Sequence, residues 1–259
     1  MISVHIALSQ LQMFFLIFLR ISAMVMTLPL FSSRSIPLLF KVGLAFSTSM
    51  SLFTILKFEY IPIMSKILPF AVGVIGEIML GIIIGLSVKL IFVGIQMAGQ
   101  LAGFQMGLAI ANVMDPATSE QFPILSQYNH LLALLILVTT NAHHWFLRAL
   151  AESYRMVPPF RFHFSNSLMQ QLVELGGNMF VIAIQVGAPV IAVLLLTSVA
   201  FGLIARTVPQ MNVFIEAMPL KIAVGLLFLG FSLPYLSLFL KTLFSGLGKN
   251  IVLLLKAMS

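Results

Sequence analysis

His143 and His144 stand side by side, but adjacent positions on a helix point about 100° apart, so the two rings cannot close on one metal ion as a pair four residues apart would. No HExxH frame surrounds them, and a belt of polar and aromatic side chains at a helix end, with Trp145, is the expected role. The chain has no cysteine, so a thiolate zinc site and a cysteine nucleophile are both excluded. Gly246-Leu247-Gly248-Lys249 lacks the spacing and the Ser or Thr of a phosphate loop. Nothing here points to catalysis, a cofactor or a metal.

The charges that remain fall inside apolar stretches. Gly73, Glu77, Gly81, Gly85 and Lys89 follow one another at four-residue intervals and form one band on a helix face. Glycines in such a band let a second backbone approach closely, which is how helices associate in a membrane. Glu77 and Lys89 lie about 18 Å apart along the axis, so each needs another partner. A carboxylate inside a span points to a functional or assembly role, whereas Lys89 is expected to snorkel at a helix end. A second ladder follows, Gly99, Gly103, Gly107 and Ala111, with Gln96, Gln100 and Gln105 interleaved. Valine at Gly103 is expected to overpack it.

Those bands need long apolar helices to carry them. Hydrophobic residues make up 60% of the 259 residues and charged residues 8%, too few charges to cover a soluble globule. A bilayer removes that requirement, and the apolar character runs along the whole chain, so residues 1–259 are expected to be a single membrane domain of all-α fold. Spans of ~20 residues are expected at about 5–30, 38–56, 68–94, 128–150, 177–204 and 212–240, with a short apolar tail at 241–259. The net charge of +7 comes from singly scattered Lys and Arg, which excludes a basic stripe for nucleic acid. Lys57, Lys66, Arg148, Arg155, Arg161, Lys241, Lys249 and Lys256 would fall on one side and Arg34, Lys41, Arg206 and Lys221 on the other, which favours cytoplasmic termini. No Lys or Arg precedes Arg20 and no small-x-small site follows the first stretch, so the first helix is expected to remain.

Residues 96–127 break the pattern. They begin as a glycine-rich helix and become too polar to span from Asn112 to Gln127. Asp115-Pro116 starts a turn and ends the helix. Irregular chain at membrane depth persists only where it is buried in protein or lines a cavity. Met106 and Met114 flank this segment, where thioethers could form a deformable seal. Farther on, Pro209 and Pro219 are expected to break the helix into a reverse turn flanked by Arg206 and Lys221.

These residues resemble a known family. Gly76-Glu77, Gly81 and Gly85, then Gln96, Ala98 and Gly99, Gln105-Met106-Gly107, Asp115-Pro116, Gln121 and Pro123, His143-His144, Val208-Pro209-Gln210-Met211-Asn212-Val213-Phe214 and Pro219-Leu220-Lys221-Ile222 look like the FliR family of flagellar export-gate proteins, and like its injectisome counterpart, SctT. The likeness runs from the first span to about residue 235, and the closing motif favours the flagellar branch. Ala142 stands where that family often has glycine before the paired histidines, and Glu216-Ala217-Met218 also departs from its pattern.

The resemblance implies a core subunit of the inner-membrane gate through which unfolded flagellar proteins are exported, assembled with FliP and FliQ subunits in a helical hetero-oligomer and contacted by FlhB. The fold it implies is one of polytopic helices and helical hairpins with a re-entrant plug loop. That plug maps to about residues 107–123, with Met106, Gly107, Ile110, Asn112, Met114, Asp115, Pro116, Gln121, Phe122 and Pro123 as its residues. Gly73, Glu77, Gly81, Gly85, Lys89, Gly99, Gly103, Arg206, Pro209, Gln210, Asn212, Phe214, Pro219 and Lys221 are then expected to serve packing and assembly. On that reading the two glycine ladders face FliP- and FliQ-like helices, and Glu77, Lys89 and Arg206 find partners in other subunits. An injectisome gate subunit of the same family and a stand-alone secondary transporter, with 96–127 as its substrate site, remain the alternatives. The absence of two similar halves weakens the transporter.

Overall fold

The structure, a computed structural model, describes residues 2–32, 36–55, 67–108, 123–207 and 213–258, and the side chains of all these except 2–9 and 213–215. Among the described residues there are eight helices and no strand: α1 (Ile2–Thr27), α2 (Leu38–Ile55), α3 (Ile67–Met106), α4 (Ile124–Thr139), α5 (His143–Met156), α6 (Asn166–Thr207), α7 (Val213–Ser245) and α8 (Leu247–Met258). The all-α membrane fold expected from composition is the one found. Five helical segments are long and apolar enough to cross a membrane, or six if α4 and α5 count as one broken span.

The helix boundaries depart from the expected spans in instructive ways. The span at 68–94 and the glycine-rich helix from residue 96 are one helix, α3, of 40 residues. Gln96 does not interrupt it, because the His130 ring 2.7 Å away on α4 satisfies its amide. Pro69 sits in the first turn of α3, where its missing N–H costs nothing. The span at 128–150 is broken instead. Thr140 turns its hydroxyl back onto the Ile136 carbonyl at 2.7 Å, and Asn141 adopts φ 54°, a left-handed conformation that asparagine accepts more readily than most residues. The helix then restarts at His143. Farther on, α6 begins at Asn166, eleven residues before the expected 177. Ser165 starts it, its Oγ accepting the Leu168 N–H at 3.2 Å as an N-cap. Pro219 does not sit in a turn but inside α7, as does Pro234. At about 1.5 Å per residue, α3 and α6 are each some 60 Å long, twice the hydrocarbon thickness of a bilayer, so neither is a simple perpendicular span.

The chain forms two compact units. The first holds Met1–Leu90, Ala142–Leu175 and Gly246–Ser259, and the second Ile91–Asn141 and Gly176–Ser245. In the first, α1 packs on α2, with Phe14 edge-on to both Phe46 and Phe53, and α5 packs on α8. Its core joins Leu80, Ile83, Val157, Leu168, Leu254 and Met258. The second has its own core of Ala102, Met106, Leu125, Val190 and Leu194, with α4 against α7. Hydroxyls on these apolar helices turn inward to their own backbone: Thr48, Ser49, Thr197 and Ser198 each donate to the carbonyl four residues back at 2.6–2.8 Å. That local bond is available in lipid, where water is not.

Candidate functional site

Among the described residues, the most fully hydrogen-bonded charged side chain lies in an apolar interior. Arg20 of α1 and Glu77 of α3 are both buried, at 0% and 1% exposure. Arg20 Nε donates to Glu77 Oε2 at 2.6 Å and Nη2 to Oε1 at 3.1 Å, the fork-to-carboxylate geometry that lysine could not reproduce. The rest of the guanidinium is used as well. Nη1 donates to Ser153 Oγ at 3.1 Å, and Nη2 to the Val157 carbonyl, at the C-terminal end of α5, at 3.0 Å. Four of the five guanidinium N–H bonds therefore have acceptors, and one of these is a carbonyl that the end of α5 leaves open. The Tyr154 ring covers the cation, 4.1 Å from its centroid, and the Tyr154 hydroxyl donates to the Ile17 carbonyl at 3.1 Å. One charge pair thus ties together three helices that are far apart in sequence.

This corrects the expectation that Glu77 finds its partner in another subunit. Arg20 was missed as a site residue, although the sequence held a signal. Arg20 is a lone cation in one apolar helix and Glu77 a lone anion in another, and an unpaired charge at that depth is too costly to leave alone. Lys89, three turns beyond Glu77, is exposed on α3.

The first ladder also meets its own chain. A side-chain methyl added at Gly81 would strike the Arg20 carbonyl and stand 2.8 Å from Ala23 Cβ, and one at Gly85 would strike the Thr27 hydroxyl. Gly73 lies against the ring of Phe160, a residue held at φ 68°. In the second ladder Gly99 meets the backbone of Leu125 and Ser126, at 2.5–2.8 Å from an added methyl. Gly103 meets only Leu125 Cδ1, at an ordinary 3.7 Å, so it is not the tight position expected. Within the chain, α1 and the 157–165 connection meet the first band and α4 meets Gly99. Among the described residues, the glycines in open space are Gly43 on α2 and Gly176, Gly177, Gly202 and Gly230 on α6 and α7.

Helix α3 ends at Met106, well before Asp115-Pro116. Gly107, at φ 84°, closes it: the Leu108 N–H reaches the Gly103 carbonyl and the Gly107 N–H the Phe104 carbonyl, both at 3.1 Å, in the Schellman arrangement. Gly107 is therefore a cap and not the third rung of a ladder. Met106 is fully buried and its side chain packs on Gly225 of α7, which makes it core filler instead of a seal. At the other end, Pro123 is the extended residue that starts α4, its carbonyl accepting the Gln127 N–H at 3.0 Å. Ile110, Ala111, Asn112, Met114, Asp115, Pro116, Gln121 and Phe122 lie outside the described residues, as do Pro209, Gln210 and Asn212. Phe214 falls in the first turn of α7, its side chain outside the description; Arg206 is exposed in the last turn of α6, Pro219 exposed and Lys221 half-buried. The rings of His143 and His144 lie 4.3 Å apart, and among the described residues no three His, Asp or Glu side chains converge.

Comparison with known proteins gives a consistent result. Residues 11–247 match the family described as bacterial export proteins, family 1. The flagellar biosynthetic protein FliR of Bacillus subtilis is 36% identical over 236 residues, 90% of each chain. FliR of Pectobacterium carotovorum is 33% identical over 90% of this chain and 88% of its own, and FliR of Escherichia coli 30% identical over 92% and 90%. With an all-α membrane fold, an ion pair buried between apolar helices and a match over nearly its whole length, this chain belongs to the bacterial export proteins, family 1, the family of flagellar biosynthetic FliR.

Proposed function

We propose that this chain is a core subunit of the flagellar type III export gate, a multi-pass protein of the inner membrane that assembles with FliP- and FliQ-type subunits, is contacted by FlhB and forms part of the path of unfolded flagellar proteins. Its role there is structural and conductive, not catalytic. The observation that carries the reading is the family match over residues 11–247. The uncovered helices support it. Only 33% of the apolar window of α6 is buried in the chain, and 11% of that of α7 and α8, against 61% for α3. Glu174, Asn178 and Gln185 are exposed on one side of α6. Lipid accepts exposed leucine but not an amide or a carboxylate, so that side calls for partner helices or a hydrated lumen. Gly202 and Gly230, open to close approach, provide the contact points that the two ladders do not.

The test is to co-express the tagged chain with its genomic neighbours and weigh the particle purified in mild detergent. A hetero-oligomer with one copy of this chain is expected, and Gly202→Leu should lower its yield while leaving the melting temperature of the chain unchanged. A stable particle of this chain alone, with the neighbours present but unbound, would refute the gate reading.

Within that gate, the segment between Gly107 and Pro123 serves as the plug. The residues at its two ends are held, Gly107 by the cap of α3 and Pro123 at the start of α4. Shortening it should make the closed, assembled gate leak ions; unchanged permeability would sink the assignment.

A further inference from the structure

Helices α5 and α8 are unlike the rest. At 14 and 12 residues each is too short to cross a hydrocarbon core of ~30 Å. Each is two-faced. Phe146, Ala149, Leu150, Ser153 and Tyr154 of α5 and Leu247, Ile251, Leu254, Leu255 and Met258 of α8 are buried, and the two helices pack together. Their ends are tied down locally: the Met258 carbonyl accepts the His163 N–H at 3.4 Å and the Ala257 carbonyl the Ser165 hydroxyl at 2.7 Å. What they turn outward is basic. Arg148 and Arg155 on α5 and Lys249 and Lys256 on α8 are exposed, and Arg161 just beyond α5 joins them. The one acid on the outward side of α5 is Glu152, which lies 3.7 Å from Arg155.

Apolar side chains stand among these cations. Trp145 is 38% exposed, Leu147 54% and Leu253 48%. The Trp145 ring of α5 lies against Gly248 of α8, where an added methyl would come within 2.6 Å of it. The Arg148 guanidinium lies 5.3 Å from the same ring. Lys249, the residue after Gly248, is exposed, so each helix of the pair carries an exposed cation within one turn of this tryptophan contact. Tryptophan and leucine beside solvent-facing Arg and Lys is the pattern of a surface at the boundary of lipid and water. A protein-binding patch of this charge would need an acidic partner brought to it, whereas the neighbouring spans already hold this one at a membrane.

We propose that the outward face of the α5–α8 pair binds the phosphate headgroups of anionic phospholipids, with Arg148 and Lys249 on the phosphates and Trp145 at the glycerol level. The idea goes beyond the gate reading and does not depend on it.

Trp145 is the only tryptophan in the chain, so its fluorescence reports on this face alone. The full chain is reconstituted in phosphatidylcholine vesicles containing rising fractions of phosphatidylglycerol with brominated acyl chains, against brominated phosphatidylcholine as control. Brominated phosphatidylglycerol should quench Trp145 at a several-fold lower fraction than brominated phosphatidylcholine. In Arg148→Gln with Lys249→Gln, the fraction giving half-quenching should rise roughly five-fold for each cation removed, while Arg148→Lys should keep the preference. Equal quenching of the wild type by the two lipids would overturn the proposal, and so would a preference that survives the double substitution. Absence of quenching by either lipid would overturn it too, since Trp145 would then lie away from the acyl chains.

Discussion

Arg20→Met alone, or Glu77→Gln alone, is expected to lose about 3–5 kcal/mol of stability, and Arg20→Met combined with Glu77→Met to regain most of it. The size follows from burial. Both side chains are removed from solvent, and each single substitution leaves the other without its counter-charge in an apolar interior. Glu77→Gln retains the shape and one acceptor but strands the guanidinium. Arg20→Met strands the carboxylate and also leaves the Ser153 hydroxyl and the Val157 carbonyl without their donor. The double substitution removes both charges and keeps apolar volume between α1, α3 and α5. Ser153 still donates to the Leu150 carbonyl at 2.7 Å in that variant, so few polar groups are left bare. Thermal unfolding of the detergent-purified chain measures the effect. If the two single losses simply add in the double variant, the pair is not coupled and the three-helix knot does not hold the unit together.

That knot marks the limit of what could be read from residue order. Composition and apolar runs were enough for the fold class, and the order of the motifs was enough for the family. Helix ends were less legible, because they depend on single residues in context. Asp115-Pro116 looked like the end of a helix, yet Gly107 ends it nine residues before Pro116, by adopting a conformation that the alternative reading, a ladder of small residues, conceals. The break at Asn141 has no proline or glycine to announce it, and it depends on a left-handed asparagine. Pro219 looked like a breaker but is carried within α7. Most of all, four-residue spacing shows that glycines share a face and not what the face meets. Spacing alone leaves the first ladder free to face another subunit, whereas α1 and the connection after α5 pack against it. Arg20, a lone cation in an apolar helix, and Glu77, a lone anion in another, are the pair of residues that fixes α1 against α3 and so turns these glycines toward α1.

The glycines therefore sort by what lies opposite, and alanine substitutions should sort in the same way. Gly81→Ala places its methyl against the Arg20 carbonyl and near the Met24 N–H, backbone atoms that cannot swing aside as a side chain would. The expected loss is about 1–3 kcal/mol, larger than the ~1 kcal/mol that alanine ordinarily gains over glycine within a helix. Gly103→Ala meets one flexible Leu125 methyl at 3.7 Å and should keep that helix gain, raising stability by about 0.5–1 kcal/mol. The two substitutions are chemically identical and sit on the same helix, so intrinsic propensity cancels between them and only close approach remains. Gly81 also differs in kind: the atom it displaces belongs to Arg20. Moving α1 outward there pulls the guanidinium away from Glu77, whose two contacts at 2.6 and 3.1 Å leave little slack. Gly81→Ala should consequently cost less in the Arg20→Met, Glu77→Met background than in the wild type, by an amount that a double-mutant cycle reads directly. Equal costs in the two backgrounds would show that the close approach of α1 to α3 and their charge pair stabilise the unit independently. A smaller cost in the doubly substituted chain would show that Gly81 is there to bring Arg20 within reach of its partner.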